Sequence, residues 1–183
     1  MTKQILIKEL IKDKHVGAVA STSKQVIKRL LNKIDFEKAD TIIEYGSGNG
    51  VITKQLLNQM SKDAVLFAFE TNKQFFNDLS KINDNRLVII NSDAVYAKTI
   101  LKTRYKIEQV DYIVSTIPFT FIDKRKRRRI ISRTYSLLNE KGRFITYQYT
   151  WLIHNLIKTQ FSQTVAKAFL LNVPPVLIFV GIK

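Results

Sequence analysis

Along the chain, short runs rich in β-branched residues alternate with stretches in which apolar positions recur at helical spacing. The strand-like runs are residues 41–45, 64–70, 86–91, 110–115 and 142–148, and the helix-like stretches between them are 51–60, 73–81, 94–105 and 123–138. This alternation predicts βαβ units around a parallel sheet, an α/β fold. The tail breaks the pattern. Residues 165–173, then Pro174-Pro175, then 176–182 read as two strands joined directly, hence an antiparallel pair at one edge. Two helices are expected ahead of the sheet, over 3–13 and 21–34, with Ser21, Thr22 or Ser23 available to cap the second. No repeat, low-complexity tract or Gly/Pro/Ser-rich linker divides the 183 residues. One domain is therefore expected, with residues 1–35 forming basic amphipathic helices and 38–183 the α/β core.

Composition narrows the chemistry. The sequence is 45% hydrophobic and 10% aromatic, enough for a real core and too apolar for general disorder. It has no Cys, which excludes disulfides, thiolate nucleophiles and Cys-bound zinc. The two His, His15 and His154, are too few for a His-rich metal site, so no metal is expected. The longest apolar run, residues 176–182, is far short of the roughly 20 residues that span a bilayer. With no secretory signal expected either, a cytoplasmic protein is the default.

The net charge is +15, and it is uneven. Residues 1–34 carry eight basic and two acidic side chains, 35–97 six and nine, and 98–143 thirteen and four. Such asymmetry suits a polyanionic partner, either nucleic acid or an anionic membrane face, although solubility alone would also use it.

The sharpest local signal is Glu44-Tyr45-Gly46-Ser47-Gly48-Asn49-Gly50, where a strand runs through a glycine-rich turn into a helix. Glycines allow positive φ and close approach of backbone to a ligand, and the following helix start offers unpaired N–H groups. The spacing matches neither the dinucleotide fingerprint nor a P-loop. Glu70 ends the second strand, 20 residues past Gly50, where a carboxylate accepts hydrogen bonds from ribose hydroxyls. Asp93 follows the third strand, placed either to accept from an adenine amine or simply to cap the helix from Ala94.

In this order, Glu44-x-Gly46-x-Gly48-x-Gly50, Glu70, Asp93 and the strand from Asp111 to Ser115 resemble the class I S-adenosylmethionine-dependent methyltransferases. The resemblance covers about residues 38–183. It implies a Rossmann-like, seven-stranded, mostly parallel sheet with an antiparallel C-terminal hairpin. It also implies S-adenosyl-L-methionine as cofactor. Glu44, Gly46, Ser47, Gly48 and Gly50 would hold its methionine part, Glu70 and Thr71 the ribose, and Asp93 with Ala94 the adenine, with Ser115 closing the site.

Two families within that class compare further. The rRNA adenine dimethyltransferases carry Asn, any residue, Pro and an aromatic at the end of strand four, where this chain has Thr116-Ile117-Pro118-Phe119. A hydroxyl does not reproduce an amide's geometry. That family's C-terminal helical RNA-binding domain is not expected here either, because the sequence ends after the edge hairpin. The bacterial phospholipid N-methyltransferases match more of the chain. Val16-Gly17-Ala18-Val19-Ala20-Ser21-Thr22-Ser23 resembles their opening, with Ala20 for the usual Pro and a short Lys-rich leader. Ser115-x-x-Pro118 and Asn172-Val173-Pro174-Pro175 resemble their later motifs.

On that resemblance the expected substrate is a phospholipid headgroup amine, phosphatidylethanolamine and its methylated derivatives, at the inner membrane face. Alternatives are an RNA adenine or protein-lysine methyltransferase, and a non-catalytic module that binds lipid or nucleic acid. Candidate anionic-surface contacts are Lys8 and Lys12 on the first helix, and Lys124, Arg125, Lys126, Arg127, Arg128 and Arg129. A solvated face is the plainer reading of that run. Tyr147, Tyr149, Ser115 and Thr116, at the ends of strands five and four, are the candidates to orient an amine or relay its proton. The aromatic faces of Tyr147, Tyr149, Phe119 and Trp151 could hold a methylated cation.

Overall fold

A strand buried on both faces shows no polar–apolar alternation, and the apolar run opening at Thr41 is of that kind. The structure, a computed structural model that describes residues 24–169 and 175–183, places β1 (Thr41–Tyr45) inside a seven-stranded sheet. On one side lie β2 (Val65–Phe69) and β3 (Leu87–Ile90), on the other β4 (Val110–Ser115) and β5 (Leu138–Gln148), all parallel. β7 (Val176–Ile182) runs antiparallel between β5 and the edge strand β6 (Gln163–Phe169). The order is β3-β2-β1-β4-β5-β7-β6.

The neighbours Ile42 and Ile43 are both fully buried, in different cores. Ile42 joins Leu66, Val114, Ile145 and Ile178 under α1 (Lys24–Leu31) and α2 (Val51–Leu57). The contact residues of α1 are Val26, Ile27, Leu30 and Leu31, a helical stripe opposite Lys24 and Lys28. Ile43 joins Phe67, Ile113, Phe144 and Phe179 under α5 (Lys124–Leu137) and α6 (His154–Gln160). Each such side chain contributes about 1.5–3 kcal/mol by burial. An exposed ion pair such as Lys38–Asp35 is screened by solvent and adds little, so the two cores hold the sheet.

Several boundaries differ from the sequence expectation. Residues 94–105 are not one helix. The Asp93 side chain accepts the Val95 N–H at 2.9 Å and tightens a 3-10 turn over Ala94–Tyr96. α4 (Ala97–Ile100) and a wide turn over Leu101–Tyr105 follow, ending at left-handed Lys106. β5 begins at Leu138 rather than at 142, directly after α5. Leu138 pairs with Val110 across a register shift, and Asn139 Nδ2 donates to Asp111 Oδ1 at 2.6 Å. α3 (Lys73–Leu79) and α2 each stop short of the expected end. α6 and a 3-10 turn at Phe119–Phe121 were not expected as elements. The helix over 3–13, the caps at 21–23, the 16–23 motif, Lys8, Lys12, His15 and Asn172-Val173-Pro174 lie outside the described residues. Among the described residues no helix is long and apolar enough to cross a membrane.

Candidate functional site

β1 has β2 on one side and β4 on the other, so the connections leaving β1 and β4 diverge and open a crevice at their carboxyl ends. A cleft of about 400 Å³ lies there. Its first wall is main chain. Gly46, Gly48 and Gly50 have φ of 76°, 54° and 82°, a region most side chains avoid. The N–H groups of Gly46 and Ser47 donate to Phe69 O at 2.8 and 3.3 Å, tying the turn to β2. Thr116 ties it to β4: its N–H donates to Tyr45 O at 3.0 Å and its hydroxyl to Gly46 O at 2.5 Å. A Cβ on Gly46 would lie 3.1 Å from Ile117 Cγ1, whereas one on Gly48 would meet nothing closer than Gly46 O at 4.0 Å. Gly48 therefore lines open space.

Three carboxylates surround this turn in different states. Glu70 lines the cleft, and its two oxygens accept the N–H groups of Gly48 and Asn72, each at 2.8 Å. Asp93 also lines it, with Oδ1 on the Val95 N–H and Oδ2 2.5 Å from Lys126 Nζ. The capping role and the ligand-facing position thus coexist. Glu44 lies beneath the turn, fully buried, accepting the Thr53 hydroxyl at 2.6 Å. Burial pushes its carboxyl up to about 7 against the pull of that hydrogen bond, and the nearby Glu70 charge pushes the same way.

The second wall is side chain. Ile117, Pro118, Phe121, Ile122, Tyr147 and Tyr149 line it, with Lys126 at one side. Tyr147 and Tyr149 meet edge-to-face at 6.1 Å. Burial, then the neighbouring Tyr147, pushes the Tyr149 phenol up to about 12, so it keeps its proton near neutral pH. Gln148 is buried, with Oε1 accepting the Phe119 N–H at 3.1 Å and Nε2 donating to Ile117 O at 2.9 Å and Thr146 Oγ1 at 3.1 Å. It fixes the loop after β4. Sequence reasoning missed it, as it missed Asn72, which caps α3 by accepting the Gln74 and Phe75 N–H groups.

The cleft thus gathers Gly46, Gly48, Glu70, Thr71, Asp93, Ala94, Thr116, Tyr147 and Tyr149. Ser47 and Gly50 shape the turn without lining it, and Glu44 supports it from below. Ser115 is corrected: it is fully buried, outside the lining, and its hydroxyl accepts the Ile117 N–H at 3.4 Å. Phe119 is also fully buried and has no face for a cation. Trp151 and His154 pack together at 5.3 Å outside the lining. The basic run divides. Lys126 holds Asp93, Arg127 donates to Ile122 O at 2.8 Å, and Lys124, Arg125, Arg128 and Arg129 are exposed. Among the described residues no group of His, Asp or Glu is arranged to hold a metal.

A family model for ribosomal RNA adenine dimethylase matches residues 14–165. The chain belongs to this family. That match bears out the S-adenosylmethionine-dependent methyltransferase class read from the sequence; within that class the sequence reading put the phospholipid enzymes ahead of the rRNA dimethylases, on Thr116 and on the C-terminal helical domain, and the matching family model is that of the rRNA dimethylases. Membership in the ribosomal RNA adenine dimethylase family makes it an S-adenosylmethionine-dependent N-methyltransferase, and the sheet order is that of the Rossmann-like methyltransferase fold. The chain is 27% identical over 169 residues to ornithine lipid N-methyltransferase of Singulisphaera acidiphila, covering 88% of this chain and 87% of that protein. It is 28% identical over 107 residues to the probable ribosomal RNA small subunit methyltransferase A of Methanococcus aeolicus, covering 58% of this chain but 37% of that protein. Among solved structures, 1,6-didemethyltoxoflavin-N1-methyltransferase of Burkholderia thailandensis, with its substrate and S-adenosylhomocysteine bound, superposes with a TM-score of 0.71. The match covers 98% of this chain and 88% of that one at 12% identity, a likeness of fold.

The residues present fit the cofactor. Gly48 leaves a cradle that a side chain would fill, and Glu70 and Asp93 face the same cleft from successive strand ends. The Gly46–Gly48 turn would hold the methionine part, Glu70 the ribose and Asp93 with Ala94 the adenine. When bound, the cofactor supplies an electrophilic methyl group on a sulfonium.

Proposed function

We propose that this family member methylates the headgroup amine of a membrane lipid, phosphatidylethanolamine or an ornithine-type lipid, while peripheral on the inner membrane face. The observation that carries this reading is the end of β4. It offers a hydroxyl, Thr116, already bonded to Gly46 O, and the one nearby amide, Gln148, is engaged at both ends. No amide there is left to read the edge of a nucleobase, and apart from Thr120 and Lys126 the rest of that wall is apolar or aromatic. A small amine suits such a wall. The relative whose printed name is ornithine lipid N-methyltransferase aligns along most of both chains, in line with this reading.

The amine must be neutral to accept a methyl group, and an alkylammonium has a pKa of about 10. The ammonium proton passes to water before transfer, and the Tyr149 phenol oxygen accepts from an N–H of the neutral amine, so the nitrogen lone pair stays free to take the methyl group. The Tyr147 and Tyr149 faces favour the cation that forms after transfer. Rate enhancement then comes chiefly from positioning. The family match and the exposed cations of α5 favour a second reading, N-methylation of adenine in rRNA.

The test is transfer of labelled methyl from S-adenosylmethionine to vesicles containing phosphatidylethanolamine, vesicles containing an ornithine lipid, and small-subunit rRNA, assayed separately. Label in either lipid is expected, and the two vesicle types distinguish the headgroups. Label in rRNA with none in lipid overturns the lipid reading.

A further inference from the structure

The two loops that rim the cleft carry their apolar side chains outward. Phe121, in the turn after β4, is 45% exposed, and Trp151 and Leu152, after β5, are 54% and 44% exposed. The loops are joined, with the hydroxyls of Thr120 and Thr150 3.3 Å apart. Trp151 is supported from beneath, its ring edge-on to Phe179 at 5.6 Å and to His154 at 5.3 Å, while its outer half stays in water. Phe121 stands three residues before Lys124, where α5 opens with six consecutive cations. Four of these, Lys124, Arg125, Arg128 and Arg129, are exposed. The acid beside them, Asp123, accepts the Lys126 N–H as helix cap, and no Asp or Glu follows Glu140 in the sequence.

An apolar tip of Trp, Phe and Leu backed by Lys and Arg, with little opposing negative charge, has the chemistry of a bilayer interface. We propose that this rim is the face by which the enzyme seats on an anionic lipid bilayer. Phe121, Trp151 and Leu152 enter the boundary between headgroups and acyl chains, and the four cations meet anionic headgroups. Because Phe121 also lines the cleft, this seating turns the cleft mouth toward the lipid. The choice of partner rests on the lipid reading above. RNA is the lesser fit, since an exposed Leu152 has no face on which a base can stack.

The sequence contains one Trp, so Trp151 reports on the rim without labelling. Its emission is measured with vesicles of phosphatidylcholine, alone or mixed with phosphatidylglycerol, with and without brominated acyl chains. A blue shift, and quenching by brominated chains in the anionic vesicles, is expected. Leu152→Glu is expected to weaken partitioning at least about tenfold. The far-ultraviolet circular dichroism and melting temperature of the variant should match the parent's, since Leu152 is exposed. Three results overturn the proposal: vesicle-bound protein whose Trp151 is not quenched, an emission shift produced by rRNA and not by vesicles, or Leu152→Glu partitioning like the parent. Methylation by the parent enzyme of lipid dispersed in detergent micelles is read separately. Its absence defeats the lipid-substrate reading, while Trp151 quenching alone decides the seating face.

Discussion

On the β1–β3 side of the cleft, positions are set by main chain: three glycines with positive φ, N–H groups pointed at Glu70, and strand ends that bring Glu70 and Asp93 to one rim. On the β4–β5 side they are set by side chains, with Gln148 clamping the loop after β4 and Tyr147, Tyr149 and Phe121 forming the surface. A backbone wall accepts one kind of ligand, because its donors and spacing are set by the main chain, and a side chain added to it, as at Gly48, fills the site instead of retuning it. A side-chain wall changes residue by residue. Relatives that share the cofactor side can therefore differ in the amine they accept.

Substitutions can break this contrast, and the largest effect is expected at Gly48. Gly48→Val puts a β-branched residue at φ 54° and a side chain into the cradle. Cofactor binding should be lost in calorimetry while the far-ultraviolet circular dichroism stays near the parent's. Retained binding would remove the turn from the cofactor site. Next is Glu44, whose folded pKa of about 7 lies above its ordinary 4.5. A raised carboxyl favours folding fully below the unfolded pKa, and that contribution is lost as pH rises through about 7. A shift of this size is worth roughly 3 kcal/mol. Glu44→Gln, neutral at all these pH values, should flatten the fall in melting temperature between about pH 5 and about pH 8. An equally steep fall in the variant would place the titration elsewhere.

Glu70→Ala leaves the N–H groups of Gly48 and Asn72 without their acceptor, at a cost of about 1–3 kcal/mol. It should weaken S-adenosylmethionine by more than about fivefold, and unchanged affinity in calorimetry would end the ribose assignment. The smallest effect sharpens the contrast at the seam between the walls. Lys126→Ala releases Asp93 Oδ2 from a half-exposed ion pair worth about 0–1 kcal/mol. Cofactor affinity should rise, by no more than about fivefold. A drop would show that Lys126 itself contacts the ligand.

The same contrast explains what could be read in advance. A turn that needs positive φ leaves glycines in the sequence, and acids at the ends of successive strands fall at countable distances, so Gly46, Gly48, Glu70 and Asp93 were legible. Gln148 was not. A polar residue late in an apolar strand signals nothing until the loop after β4 folds back onto it. Ser115 failed for the matching reason: its position at a strand end was readable, but its burial depends on the strands on either side. The short α6 and the broken helix over 94–105 escaped because apolar spacing does not distinguish α, 3-10 and wider turns.

Thr116 belongs to neither wall. With its N–H on Tyr45 O and its hydroxyl on Gly46 O, it ties the start of the loop after β4 to the glycine turn that lines the cleft. One side chain thus couples the placement of the two walls. The lining of the side-chain wall can change residue by residue, but a change at this one position is felt by the glycine turn as well.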